Sequence, residues 1–396
     1  MKNKIKKIKD FKYGFAGKKR KFGINIWRFF FNGINSISGS EQMFFIELEM
    51  LNPWISPQDV SLSFKPRVTI TAEDLQYALA GTQSARNLET EEVRLPSYCA
   101  VRVGKIGAYS KQLCSYFTVK EMTVHTKPFE IQIGNKFFSE NKLSGFLNLS
   151  KEEVAEHPEY LCDSGSVTWE LNYETENEYK DGFKSPEARW FPYGLKTIFS
   201  GKISFDGADY IVDPRKCIGY TERFWGKTMP EPWFHVSAGN LTSDISGKIL
   251  FNSAFSIQGN FNDKVSFIGK IEDIEIEFCA DSRHKNFSAI WDCIQMPEAE
   301  NIDENLLHWT ISLHNKIWVI DVDVYCKIRD LFNRSIELPD NSRRIMNLLE
   351  GATGTGELKL YRKSGNTLEQ IEHANLLKVV CEFGHIEQQG DISSEE

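Results

Sequence analysis

The strongest constraint on this chain is a period of two. In Val167–Glu174, the residues Val167, Trp169, Leu171 and Tyr173 alternate with Thr168, Glu170, Asn172 and Glu174. Successive side chains of a strand point to opposite faces, so one face here is apolar and the other wet. Met43–Leu51 repeats the pattern, with Phe44, Ile46, Leu48 and Met50 opposite Phe45, Glu47 and Glu49. It reads as a half-buried strand. In 317–328, Trp318, Ile320, Val322, Val324 and Cys326 share one face. Strand-like segments recur at 248–255, 265–268, 274–278, 287–291, 307–313, 356–361 and 376–383. Many short alternating strands joined by tight turns predict an all-β fold, a sandwich or a barrel.

The turns are legible too. Gly134-Asn135 and Asp206-Gly207 are hairpin dipeptides, and a further turn is expected near Glu140-Asn141-Lys142. Helix is sparse. Thr71 to Gly81 has an N-cap residue and a terminal glycine, and Ser150-Lys-Glu-Glu153 caps a turn or two before Pro158. A third short helix is expected over 342–350. The strands divide into blocks at 23–195 and 196–388, which predicts two barrels or one pseudo-symmetric body. A basic lead-in at 1–22 and a polar tail at 389–396 flank them.

The net charge of -8 is unevenly spread, because Lys2 to Lys21 make the start of the chain basic. Such a tail can touch an anionic membrane surface transiently or simply remain solvated. No RNA-binding aromatic signature follows it, so no nucleic-acid partner is expected. No apolar run reaches the length of a membrane helix, and the basic start lacks the apolar stretch of a secretion signal. The expected location is cytoplasmic. None of the eight cysteines forms a C-x-x-C pair, so they read as reduced core residues rather than zinc ligands.

Several motifs read as structure. Gly351-Ala-Thr-Gly-Thr-Gly356 lacks the Gly-Lys-Ser/Thr ending of a phosphate loop and leads into a strand, so a turn is expected. Asp321 with Asp323, and Glu275 with Glu277, are same-face pairs expected on the solvent side of strands. His308 and His314 lack a third ligand, and no metal site is expected. No G-x-S-x-G and no Ser/His/Asp or Cys/His order points to a nucleophilic hydrolase.

Gly219–Asn240, GYTERFWGKTMPEPWFHVSAGN, is different. Pro230 and Pro232 remove backbone donors and pin an extended path, which fixes the directions of the tryptophans. Glu222 precedes Phe224 and Trp225. A carboxylate against tryptophan loses water, so its pKa rises and it can serve as a general acid for an apolar substrate. The other reading is a structural pair with Arg223 or Arg215.

The motif Tyr220-Thr-Glu222-Arg-Phe-Trp225-Gly226, then Pro230, Pro232-Trp233-Phe234 and Asn240, resembles the tocopherol cyclase family and the wider carotenoid-hydratase-like group. Arg223 and Phe224 stand where Lys-Asn is usual, Met229 where Phe is common, and His235 where an aromatic is expected. The resemblance spans roughly residues 135–240. It implies two tandem calycin- or lipocalin-like antiparallel β-barrels with an apolar tunnel. It also implies cofactor-free protonation of a prenyl double bond, followed by attack of a phenol oxygen or water. Glu222 would be the catalytic acid. Tyr220, Trp225, Trp233, Phe234, His235 and Asn240 would bind the isoprenoid or lipid ligand, and the segment would form a wall of the second barrel near the seam. A carrier holding the same ligand without chemistry is the alternative.

Overall fold

In the computed structural model, residues 22–63, 95–126, 128–177, 182–184, 188–261, 263–280, 287–296, 305–340 and 344–388 are described. The helix expected over 71–81 and the two tails, 1–21 and 389–396, lie outside them. The fold is all-β, a closed barrel and a half-barrel of antiparallel strands.

The first sheet comprises β1 (Ile24–Asn35), β2 (Glu41–Leu51), β3 (Tyr98–Ile106), β4 (Lys111–Phe117), β5 (Met122–Thr126), β6 (Phe129–Ile133) and β7 (Lys136–Ser139). It continues with β8 (Lys142–Leu149), β9 (Gly165–Asn177), β10 (Phe183–Lys184), β11 (Ala188–Phe205), β12 (Ala208–Val212) and β13 (Gly219–Gly226). Its order is β4-β3-β2-β1-β12-β11-β9-β8-β7-β6-β5, and β13 also lies between β1 and β11. β12 and β13 thus fill one position in turn, β12 against the end of β1 and β13 against its start.

The second sheet comprises β14 (Trp233–Ala238), β15 (Leu241–Ser243), β16 (Ala254–Phe261), β17 (Lys264–Ile271), β18 (Ile274–Phe278) and β19 (Ser288–Met296). It ends with β20 (Leu306–His314), β21 (Trp318–Lys327), β22 (Phe332–Glu337), β23 (Arg344–Ser364) and β24 (Thr367–Gln388). Its order is β18-β17-β16-β14-β24-β23-β21-β20-β19, with β15 on β24 and β22 on β23.

Each sheet encloses an apolar core. Trp27, Phe29, Phe31, Phe44, Trp169 and Phe199 fill the first barrel. Phe234, Phe255, Phe267, Trp309 and Val322 belong to the core of the second. A third cluster draws on both sheets, joining Ile26, Phe30, Phe45 and Tyr98 to Trp233, Ile336, Met346 and Leu348. That third cluster is the seam between the barrels.

The alternation in Val167–Glu174 holds, with Val167, Trp169, Leu171 and Tyr173 inside and their neighbours exposed. The hairpin turns hold as well: Gly134, Asp206 and Gly207 all have positive φ. The short helix α1 (Lys151–Glu156) forms where expected, and the Ser150 side chain accepts from the Glu153 N–H.

Four expectations change. β2 is buried on both faces from Met43 to Leu51, so it is not half-buried. Its even residues fill the barrel, and Phe45, Glu47 and Glu49 face the seam. Residues 344–350 are strand, because β22 and β24 flank them with ladders on both sides. Gly351–Gly356 lies inside β23 as a bulged stretch rather than a turn, with register shifts at Gly351/Gly354 and Gly354/Thr355. The segment Gly219–Asn240 is not one wall: its first half is β13 of the first sheet and its second half is β14 of the second.

Candidate functional site: a buried ionic layer between the barrels

Register explains how charged side chains come to line the seam. Directly opposed residues of neighbouring strands point to the same side. On the first sheet, Glu222, Arg28, Glu47 and Arg102 are opposed in turn across β13, β1, β2 and β3. Their charges alternate along the row. On the second sheet, Gln258, His235, Glu382 and Glu350 are opposed in turn across β16, β14, β24 and β23. The two rows face one another and all eight side chains are buried.

Arg28 ties the rows together. Its Nη1 donates to Glu222 Oε1 at 2.9 Å and to Glu382 Oε2 at 2.8 Å. Its Nη2 donates to Glu350 Oε2 at 2.6 Å and to Glu382 Oε1. Glu47 lies 3.5 Å from its Nε. Arg334 on β22 makes a second bridge, donating to Glu350 Oε2 at 2.6 Å and to both oxygens of Glu47 at 3.1 Å. Arg102 donates to Glu47 and Glu49. A planar guanidinium suits this role because its five donors fan out in fixed directions.

Charge in the layer does not balance if every group is ionised. Five carboxyls (Glu47, Glu49, Glu222, Glu350, Glu382) meet three guanidiniums (Arg28, Arg102, Arg334). An unpaired charge in a dry interior is costly, so protons must make up the difference. Burial pushes Glu350 up to about 7, although Arg334 and Arg28 pull the other way. Burial also raises Glu49, against the pull of Arg102. Burial opposes ionisation of Glu382, but Arg28 and His235 outweigh it and hold the carboxyl well below the usual range. Glu47 is likewise lowered: burial is outweighed by its three arginines.

The residues singled out from sequence separate along the pleat. Glu222 is fully buried, as expected, and both its oxygens accept: Oε1 from Arg28, Oε2 from Trp190 Nε1 at 2.6 Å and from Tyr220 at 2.9 Å. The ion pair is with Arg28 rather than Arg223 or Arg215. Arg223 lies on the opposite face, over the Trp27 and Trp225 rings, and Arg215 pairs with Asp213. Trp225 shares that far face and stacks on Phe191 at 4.4 Å. Tyr220 reaches the layer through Ser256 Oγ at 2.9 Å. Trp233 Nε1 donates to Glu382 Oε2 at 2.7 Å, and His235 Nδ1 meets the same oxygen at 3.1 Å. Phe234 points the other way, into the second barrel against Trp291. Asn240 lines a small gap with Phe30, Met43, Tyr220, Ser237, Lys378 and Val380, about 20 Å³ in volume. That gap lies one same-face step along the strands from the layer, since Phe30 follows Arg28 and Val380 precedes Glu382.

Sequence reasoning missed Arg28, Arg334, Glu350 and Glu382 as site residues. It named Glu47 and Glu49 only as a strand's polar face. Two features mark the layer as more than a set of ion pairs. Glu350 Oε1 is buried and has no hydrogen-bond partner among the described residues, and neither has Gln258 Nε2 or Oε1. Buried polar atoms without partners are uncommon and point to a proton, a water or a ligand.

The secondary motifs stay structural. His308 pairs with Asp323 at 2.8 Å, and Ser312 bridges His314 and Asp321. Glu275 and Glu277 are exposed. A cavity of about 420 Å³ opens at the second barrel, lined by Phe278, Cys279, Phe287 and Ile317 with Glu277, Asn315 and Lys316. No helix among the described residues is long and apolar enough to cross a membrane.

Fold and layer together define a tandem-barrel protein with a buried, acid-rich seam. No protein-family model matches the chain, and no curated protein matches it. Among solved structures, kievitone hydratase from Nectria haematococca is similar over 90% of this chain and 88% of its own, at 11% identity and a TM-score of 0.44. A Nitrosomonas europaea protein provisionally named ATTH is similar over 92% and 98%, at 11% identity and a TM-score of 0.39. Neither comparison carries a residue or a reaction across to this chain.

Proposed function

We propose that this chain is an acid–base enzyme acting on a double bond of an apolar small molecule, with the seam as its active site. The observation that carries the reading is Glu350 Oε1, a carboxyl oxygen buried beside other acids and without a hydrogen-bond partner among the described residues. A carboxyl kept protonated in a dry site can donate to carbon. Glu350 would protonate the double bond. The cation would form between Glu382 and Glu222, whose negative charge stabilises it. Water would then add in a hydration, or an internal phenol oxygen in a cyclisation of the tocopherol cyclase kind. The added oxygen would release its proton back to Glu350. In this reading Glu222 orients Arg28 and Tyr220, and the proton donor is Glu350. The faces are packed together, so substrate binding requires them to part at the gap beside Tyr220 and Asn240.

A second reading is a carrier. The 420 Å³ cavity at the second barrel favours it, since that volume and its phenylalanines suit an apolar ligand. One experiment separates the readings. The protein is incubated with prenylated phenols and terpenoid alkenes in heavy-oxygen water, and products are read by mass spectrometry. Labelled oxygen in the product marks hydration, and an unlabelled isomer marks cyclisation. A ligand retained but returned unchanged marks the carrier and overturns the enzymatic reading.

A further inference from the structure

We infer that the seam acid exchanges its proton with solvent along one hydrogen-bonded path, Tyr220–Ser256–His235–Glu382, which starts at the gap lined by Tyr220. The inference rests on Glu350 being the acid of the proposed function. It assigns Ser256, which the sequence motif does not mark, and His235 as positioning and relay residues.

Geometry carries the argument. The gap is about 20 Å³, enough for roughly one water, and Tyr220 is part of its wall. From there each step is a short contact between groups that both give and take protons. Tyr220 Oη lies 2.9 Å from Ser256 Oγ. Ser256 Oγ lies 3.3 Å from His235 Nε2. His235 Nδ1 lies 3.1 Å from Glu382 Oε2. Glu382 and Glu350 are opposed across β23 and β24 and share Arg28 Nη2. All of these side chains are buried. The remaining neighbours are poorer carriers. Trp190 and Trp233 only donate, and the arginines hold their protons.

The transfer balances. The Tyr220 hydroxyl first turns its proton from Glu222 Oε2 to Ser256 Oγ, both of which lie 2.9 Å away; a proton from water in the gap then binds Tyr220 Oη as Tyr220 passes its own to Ser256. Ser256 passes its proton to His235 Nε2, and Nδ1 releases one to Glu382. Glu382 hands it to Glu350, so one proton arrives for each that leaves the gap. Hydroxyl rotation then resets Tyr220 and Ser256, and return of a proton by the same steps restores the starting tautomer of His235. The Glu222 carboxylate lies 3.9 Å from His235 Nε2 and accepts from Tyr220. It therefore holds the Tyr220 proton between transfers.

The test reads the carboxylic acid C=O band by infrared spectroscopy after rapid mixing into heavy water. The Glu350 component is the part lost in Glu350→Gln. Ser256→Ala removes the middle hydroxyl without changing any charge, and Tyr220→Phe removes the first. Each is expected to slow deuterium exchange of that component about tenfold or more while leaving the band in place. An exchange rate in both variants equal to the parent's overturns the path and leaves the Glu350 reading standing. A band that survives Glu350→Gln undiminished overturns the Glu350 reading, and the path with it.

Discussion

Arg28 and Glu350 are 322 positions apart in the chain and meet at 2.6 Å in the middle of the seam. One belongs to the first strand of the first sheet and the other to the long strand β23 of the second. Around that contact three further carboxylates converge on the same guanidinium.

Removing Arg28 should therefore be severe. Arg28→Met leaves Glu222, Glu350 and Glu382 without their shared cation, and breaking such a buried pair costs about 3–5 kcal/mol. Urea unfolding should show that loss, or the soluble yield should collapse. Arg28→Lys should recover only part, since an ammonium cannot fork to four acids. A methionine variant as stable as the parent would show that the layer contributes nothing net.

Glu350 makes a pH signature. Burial raises its folded pKa from 4.5 to about 7. Between those values the folded chain keeps a proton that the unfolded chain has released, so this group's contribution to stability declines as pH rises through that window. Glu350→Gln keeps a neutral side chain of the same shape and removes the titration. Relative to the parent, the variant should gain stability as pH climbs from 4.5 to 7. Parallel curves for the two proteins would place the proton elsewhere. Turnover should fall on the order of a hundredfold or more, the scale of a lost general acid.

Glu222→Gln should behave differently. The amide still accepts on one atom, but its NH2 turns toward a donor, Arg28 or the Trp190 and Tyr220 pair. The cost is about 1–3 kcal/mol for the buried donors left unmade. Activity should persist at a reduced level, because the proton donor is intact. Complete loss of turnover in a well-folded Glu222→Gln would return the acid's role to Glu222.

Gly356 offers a test of the fold alone. A Cβ there would sit 1.9 Å from the Asp323 carbonyl oxygen, which belongs to a paired strand and cannot swing aside. Gly356→Ala should force β21 and β23 apart at a cost of at least about 1–3 kcal/mol. Thermal unfolding checks it, and an unchanged midpoint would mean the two strands are free to separate locally.

Much of this architecture was legible in the sequence, and the part that was not has a definite cause. The clean alternation of Val167–Tyr173 gave its faces correctly because one face is wet. The same rule misled at Met43–Leu51. There the polar side of the pleat is dry, and only the second barrel's location reveals it. Glu222 was found because tryptophans surround it locally. Glu350 and Glu382 were not, since nothing beside them in the chain marks them and their partners arrive through register. Within Gly219–Asn240, strand parity alone separates Tyr220, Glu222 and Phe224 from Trp225, and Trp233 and His235 from Phe234. The bulged glycines of β23 looked like a turn because glycine serves both uses.

The crossing from β13 to β14 has a consequence for how the molecule is made. Every strand of the first barrel has been synthesised by residue 226, yet Arg28 still lacks Glu350 and Glu382. Arg334, the second bridge, also comes late. A first barrel that folds before the later strands appear would present a bare charged stripe with its aromatic surround. Completion of the seam is timed by β22, β23 and β24 rather than by the first barrel's own last strand, and a chain cut short of β24 would leave that stripe uncovered.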